Sequence, residues 1–531
     1  MYLPLKQTRV NMRYLYIALI SVTTYFSSFS QIPFDISLEN VQIDNLEGVQ
    51  SYAFGEADGK WLIVGGRLDG LHRRQPFEAF DVPGHNTDLL VIDPLNKKHW
   101  KAPLSALSKR MAEQLSSTNM EFIQLGKMLY CVGGYGYSAT DGDHITYPYV
   151  TAIDVESTID AIINNKSYAP YFRQITDSKL QITGGRLRKA DGKLLLLGGQ
   201  KFMGRYNPMG PDHGPGFEQQ YSNSVKVFTI DDKLGSSFSI NHHKEFVDSI
   251  NLHRRDYNAE PQIMPDGSQS ITMFSGVFRP DVDLPFLDAV NVDTSSYSVE
   301  SNFEQYYNHY HCAVVPTYSE STNSMYTIFF GGIAQYYLQM GNRVKDDDVP
   351  FVQTIAVVKR DSKGNMSEIV LPIEMPSLLG ASAEFIPADI DRYSNEVIKY
   401  DEAKGDSVLM GYIYGGIESS GRNIFFSNTG SQSIATTKVF KVWLKKKQNA
   451  SAGDLDANSL LIHPNPASTM FSLDNNSSTE QQCKLISVDG REVGAIILEP
   501  NTSRILRVEH LSSGVFFLQN QYGHTWRLIK Q

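Results

Sequence analysis

Six short apolar runs, each closing on a pair of small residues, recur between residues 31 and 447. They are Trp61–Val64 before Gly65-Gly66, Leu129–Val132 before Gly133-Gly134, and Leu194–Leu197 before Gly198-Gly199. Then come Ile271–Phe274 before Ser275-Gly276, Thr327–Phe330 before Gly331-Gly332, and Met410–Tyr414 before Gly415-Gly416. The doublets are 56 to 84 residues apart. Apolar runs this short, bounded by glycine, predict strands buried on both faces. Turn signals precede several of them: Asp58-Gly59, Gly126, Asp191-Gly192 and Asp266-Gly267. A second alternating run follows most: Asp88–Asp93, Val150–Asp154, Val225–Ile230, Leu287–Val292, Thr354–Val358 and Thr437–Val442. The pattern predicts small antiparallel sheets, one per doublet.

A small sheet cannot bury both faces alone, so such units stack around an axis. The glycines let the chain turn and let the backbone approach the neighbouring unit where a Cβ would clash. The doublets and the strands on either side of them resemble kelch repeats. That resemblance implies an all-β chain: a six-bladed kelch-like β-propeller over residues 31–447. The intervals here exceed the usual repeat of about 50 residues, so the loops are enlarged. Phe34–Val41 precedes the first unit's own strands and is expected to supply the outer strand of the sixth blade. Seven blades or a two-sheet sandwich are the alternatives.

The two ends carry addresses. Lys6, Arg9 and Arg13 precede the apolar run Tyr14–Phe26, and small residues follow at Ser28 and Ser30. This is the layout of a secretory signal peptide over residues 1–30. Residues 448–458 read as a linker. Beyond it, Leu460–His463 leads into Pro464-Asn465-Pro466-Ala467. Alternating residues then turn at Asp489-Gly490-Arg491, Leu511–Leu518 follows with Gly514, and Lys530 closes the chain. Asp-Gly between alternating runs signals a hairpin, and residues 459–531 read as a small β-sandwich. The ordered motifs resemble the C-terminal sorting domain of the type IX secretion (Por) system of Bacteroidetes-type bacteria. His463 and Phe516 stand where that family usually has tyrosine. The resemblance implies export across the periplasm, the type IX machinery as a partner, and a secreted or outer-membrane surface location. No transmembrane segment is expected after signal cleavage.

Composition narrows the function. Lys plus Arg is 48 against 58 Asp plus Glu, a formal charge of −10, which argues against nucleic acid as a partner. Three cysteines exclude a disulfide scaffold and a CxxC zinc site. The motifs of serine hydrolases, zincins, P-loop enzymes and dinucleotide folds are absent, and no cofactor or metal is expected. The kelch-like class includes a copper radical oxidase, but Cys131 and Cys312 fall inside predicted strands.

The candidate chemistry lies in two loop sets. One follows the doublets (67–86, 135–148, 200–221, 277–286, 333–350, 417–434); the other leads into each unit's first strand. Arg suits carboxylates and phosphates, and aromatic faces suit sugar rings. Arg67, Arg74, Tyr135, Arg205, Arg255, Asp256, Tyr257, His309 and His311 are the candidate ligand-binding residues. His309 and His311, two apart, would share one face of a strand. The expected function is binding of a glycan or protein ligand by loops at one end of a central channel. The alternative is a carbohydrate-active enzyme of the sialic-acid mutarotase type, or one with other acidic-sugar chemistry, using Arg, His, Tyr and Asp there.

Overall fold

The computed structural model describes residues 32–531 except 75–77, 209–212, 215, 234–236, 340, 448–459, 476–479, 501 and 522–524. The expected signal peptide and linker fall outside the described residues. The chain is all-β, 52% strand and 7% helix. It divides into two compact units: residues up to 404 with 408–444, and residues 405–407 with 445–531.

Six sheets of the first unit follow one plan. The first is Ala53–Ala57, Lys60–Val64, Asp88–Asp93 and Lys98–Pro103. The second is Glu121–Leu125, Met128–Val132, Tyr149–Asp154 and Phe172–Thr176, and the third Arg186–Ala190, Lys193–Leu197, Ser224–Asp231 and Ser239–Val247. The fourth is Asn258–Ile263, Gln269–Phe274, Ala289–Val292 and Tyr297–Val299. The fifth is Ala313–Ser319, Ser324–Phe330, Thr354–Arg360 and Met366–Glu374, with Ile398–Lys399 added parallel to its first strand. The sixth is Glu384–Pro387, Ser407–Tyr414, Val439–Lys446 and, outermost, Phe34–Val41. In every sheet the strand before the doublet is the second, central one, which is why its residues are apolar without alternation.

The sheets pack in cyclic order. At least one apolar cluster joins each neighbouring pair, for example Leu62 and Val64 with Leu129 and Cys131 between the first and second. Further clusters join second to third, third to fourth, fourth to fifth and fifth to sixth. The cycle returns where Trp61 and Ile63 of the first sheet meet Tyr412 and Tyr414 of the sixth, with the Trp61 ring edge-on to Tyr412 at 5.1 Å. All three cysteines are free and buried.

The doublets serve the close approach expected of them. Both residues of every doublet have positive φ. The second residue's amide donates to the next unit: Gly66 to Ser117 O (2.8 Å), Gly134 to Ile182 O (3.0 Å), Gly199 to Arg254 O (2.8 Å), Gly332 to Leu379 O (3.3 Å) and Gly416 to Val49 O (2.9 Å). A Cβ on Gly133 would land on the Ile182 carbonyl oxygen. At Ser275-Gly276 no such bond forms among the described residues. There Asn258, in the first strand of its own sheet, spans the seam instead, donating to His309 O at 2.5 Å and accepting from Cys312 N at 3.1 Å.

The enlarged loops after the doublets carry strands of their own. Strands from the second and third units (Tyr135–Ser138, Asp143–Thr146, Gln200–Gly204, Phe217–Tyr221) join in one additional sheet with His213–Gly214. The second compact unit holds a three-stranded and a four-stranded sheet sharing one core that includes Phe471, Leu485, Phe516 and Leu528. Its Asp489-Gly490 turn joins Gln481–Ser487 to Glu492–Leu498, with Gly490 donating to Ser487 O at 2.9 Å.

Candidate functional site

Each unit brings two backbone segments together at one end. The residue after the doublet pairs with the residue three before the first strand: Arg67 with Gln50, Tyr135 with Thr118, Gln200 with Thr183, and Val277 with Arg255. Likewise the Tyr310 amide donates to Ile333 O at 2.9 Å, and Ala381 pairs with Ile417. The next residue in each unit is left-handed: Ser51, Asn119, Gly184, Asp256, His311 and Ser382.

These six positions form a girdle. The amide of Asn119 donates to Ser51 O (3.1 Å), Gly184 to Asn119 O (3.4 Å), Asp256 to Gly184 O (2.8 Å), Ser382 to His311 O (2.5 Å) and Ser51 to Ser382 O (3.0 Å). The sixth link, His311 to Asp256, is not made among the described residues. This break lies at the same seam as the departure at Ser275-Gly276.

Above the girdle lies a cavity of about 730 Å³, a volume suited to a small ligand or the end of a larger one. Both loop sets of all six units line it. One wall is aromatic. The His72 ring stacks on Phe80 (5.4 Å) and meets Tyr206 (5.3 Å) and Phe425 (5.8 Å) edge-on; Phe202 and Phe217 pack against Tyr206 at 5.1 and 5.5 Å. The lining also includes Arg255, Asp256, Tyr310, His311, Arg279 and Asp283, with the Arg255 guanidinium over the Phe278 ring at 5.1 Å.

Beneath the cavity is a buried charged network. His311 Nε2 lies 2.9 Å from Glu384 Oε1, which also accepts from Arg186 Nη1 at 3.2 Å. Burial alone would raise the Glu384 pKa, but Arg186 and then His311 outweigh it and hold the carboxylate near 2. Burial, then Arg186, lowers the His311 pKa, which favours the neutral ring, and its Nε2–H faces the acceptor-only carboxylate. Glu121 accepts from Gly185 N at 2.6 Å, and burial pushes its pKa up to about 8. Arg188 pairs with Glu260 at 2.7 Å.

Six of the nine candidate residues line the cavity: Arg67, Arg74, Tyr135, Arg255, Asp256 and His311. Three are among the residues that build its surroundings instead. Arg205 binds Ala79 O at 2.9 Å and pairs with Asp81. Tyr257 is a core residue whose hydroxyl donates to Leu197 O at 2.9 Å. His309 hydrogen-bonds Gly331 O through Nδ1 (2.6 Å) and stacks on Phe329. The two histidines precede their strand and take separate partners, so they do not share a face as a strand would arrange them. Among the described residues no three His, Cys, Asp or Glu are grouped to hold a metal. The aromatic wall and Tyr310 were missed as a set; the only signal was the aromatic content of the loops.

In the second unit, Asn465 ties the Pro464–Pro466 segment to the last strand. Its side chain donates to Arg527 O (2.6 Å) and accepts from Ile529 N (2.9 Å), and Ala467 N donates to Ile529 O at 2.8 Å. Residues 461–531 match the family model of the secretion system C-terminal sorting domain. This stretch is a type IX sorting domain. The sorting domain sends the chain through the type IX machinery to the cell surface or into the surroundings. No helix among the described residues is long and apolar enough to cross a membrane. No curated protein matches the chain. Among solved structures, one titled "Structure of YjhT" is 12% identical, covering 75% of this chain and 96% of that one, with a TM-score of 0.39. A novel fungal alcohol oxidase with catalytic diversity among the AA5 family, in complex with copper, is 9% identical, covering 94% and 100%, with a TM-score of 0.37. At those scores neither likeness bears on the site.

Proposed function

We propose that the six sheets are the blades of a kelch-like propeller over residues 31–447, joined by a linker to a sorting domain folded as a β-sandwich. On this reading residues 1–30 are the signal peptide, and the propeller is the cargo, displayed or released outside the cell. Its role is to bind a glycan, or a protein through its glycan, at the loop end of the channel.

The observation that carries the reading is the cavity. Both loop sets of all six units converge on it, and its lining combines aromatic with polar side chains, the combination suited to a sugar ring. Several polar atoms on its lining residues lack partners: Arg67 Nη1, Arg74 Nε and the Tyr310 hydroxyl. Buried polar atoms are normally satisfied, so these support a ligand that completes them. The His311–Glu384 pair favours a second reading, a carbohydrate-active enzyme, because a neutral imidazole oriented by a carboxylate can act as a general base.

A glycan array probed with the full chain tests the binding reading. Retention of a defined set of saccharides, lost in Arg255→Ala and His311→Ala, is expected; retention unchanged in both variants removes the site.

A further inference from the structure

Resting on the glycan-binding reading above, we infer that the cavity recognises neutral adjacent hydroxyls rather than an anionic group. The subsite is the break in the girdle, formed by Asp256, Tyr310 and His311.

Charge speaks first. Five arginines line the cavity (Arg67, Arg74, Arg255, Arg279, Arg422), but four aspartates do too (Asp256, Asp283, Asp347, Asp348). Most of the guanidinium charge is already engaged. Arg67 is paired with Asp69 through Nε and Nη2, leaving Nη1 unpartnered; Arg255 is paired with Asp256, and Arg279 with Asp281 at 3.0 Å. Arg422 lies over the Tyr337 ring at 4.4 Å, and Arg74 over Phe426 at 4.0 Å. A carboxylate or phosphate bound here would compete with these partners and meet Asp283 and Asp348; the other two aspartates are paired, Asp256 with Arg255 and Asp347 with Lys345 at 3.0 Å.

The break speaks second. The His311 amide and the Asp256 carbonyl are the only members of the girdle whose link is not made among the described residues. The His311 imidazole uses Nε2–H on Glu384, so Nδ1 carries a lone pair, and it has no hydrogen-bond partner among the described residues. The Tyr310 hydroxyl is shielded from solvent and unpartnered. The unpartnered groups are thus a donor (His311 N–H), two acceptors (Asp256 O and His311 Nδ1) and a buried hydroxyl that does either. An anion offers acceptors only and would oppose the two lone pairs. A pair of sugar hydroxyls, each both donor and acceptor, satisfies the set.

The aromatic wall speaks third. Its rings, packed on one another, offer the apolar surface on which the C–H face of a pyranose would stack. The His311 backbone, at φ +29, departs from the φ of 49 to 68 held by the other five positions. Such local departures cluster where a ligand is held.

The test titrates the full chain with two probes matched except at one carbon: a glucose-terminated oligosaccharide and its glucuronate-terminated counterpart, each set including monodeoxy analogues. The expected result is tighter binding of the neutral probe. Tyr310→Phe, which removes one oxygen and keeps the packing, should weaken it about 3- to 10-fold. His311→Asn, a residue tolerant of left-handed backbone, should do the same. One deoxy analogue should lose the same factor and be insensitive to Tyr310→Phe. Stronger binding of the uronate, or neutral-probe affinity unchanged in both folded variants, overturns the inference while leaving the glycan site standing. Failure of every saccharide on the array to bind the wild-type chain overturns the glycan reading itself, and this inference with it.

Discussion

The amide of Ser51 donates to the carbonyl of Ser382 at 3.0 Å, joining the start of the first sheet to the start of the sixth. It is one of five such links at equivalent left-handed positions. With the cyclic packing of the sheets, it gives the chain a closure that rests on backbone geometry and not on a disulfide. The seam between the fourth and fifth sheets departs from this pattern twice, and the cavity's most polar groups lie there.

The doublets should be intolerant of side chains where the neighbouring carbonyl is close. Gly133→Ala combines a left-handed backbone with a Cβ on Ile182 O, and should destabilise the protein by about 2–4 kcal/mol. Ser275→Gly, which removes a left-handed Cβ together with the hydroxyl bond to Phe286 O at 2.7 Å, should cost less, about 1 kcal/mol. Denaturant melts of the two variants make the comparison.

The N-terminal strand should matter through its core face. Phe34 is fully buried, edge-on to Tyr326 at 5.4 Å, and Phe34→Ala should cost about 3–5 kcal/mol. Glu39, exposed and paired with Lys441 and Trp443, should leave the melting temperature nearly unchanged when replaced by alanine.

Glu121 should give the protein a pH-dependent stability. Burial raises its folded pKa to about 8, well above the value in an unfolded chain. The folded state therefore holds this proton more tightly. Its contribution is full below about pH 4.5 and is lost as pH rises through 8. Stability measured from pH 5 to 8 should fall, and Glu121→Gln should flatten that fall. An identical slope in the variant would place the titration elsewhere.

The Arg186–Glu384 pair should be strongly non-additive. Arg186→Leu leaves the buried Glu384 carboxylate with His311 as its hydrogen-bond partner among the described residues, and should cost about 3–5 kcal/mol. Adding Glu384→Leu should recover part of that loss, as a double-mutant cycle would register. Additive losses would mean that the two charges act independently.

The strand framework was legible because its signals are local. A run such as Leu194–Leu197 ending on Gly198-Gly199 carries burial and backbone conformation in adjacent letters. The sorting domain was legible for the same reason, through Pro464–Ala467 and Asp489-Gly490. The girdle was not. Its six positions hold Ser, Asn, Gly, Asp, His and Ser, with no shared side chain, because only backbone atoms make the links. The site was half legible. Arg255 and Asp256 stood out as charged residues in the right loop, and they line the cavity. Arg205 and His309 stood out equally but are engaged by carbonyls close by in space, Ala79 O and Gly331 O, that sequence spacing does not reveal. The aromatic wall draws His72, Phe80, Phe202, Tyr206, Phe217 and Phe425 from three separate loops, so no single stretch announced it.

The central claim is that the cavity over the girdle holds a saccharide. Its most direct test is titration of the strongest array ligand into the full chain and into a Phe80→Ala/Tyr206→Ala double variant whose circular dichroism matches the parent. Loss of stacking should raise Kd at least about 10-fold. An unchanged Kd in the folded double variant would contradict the account.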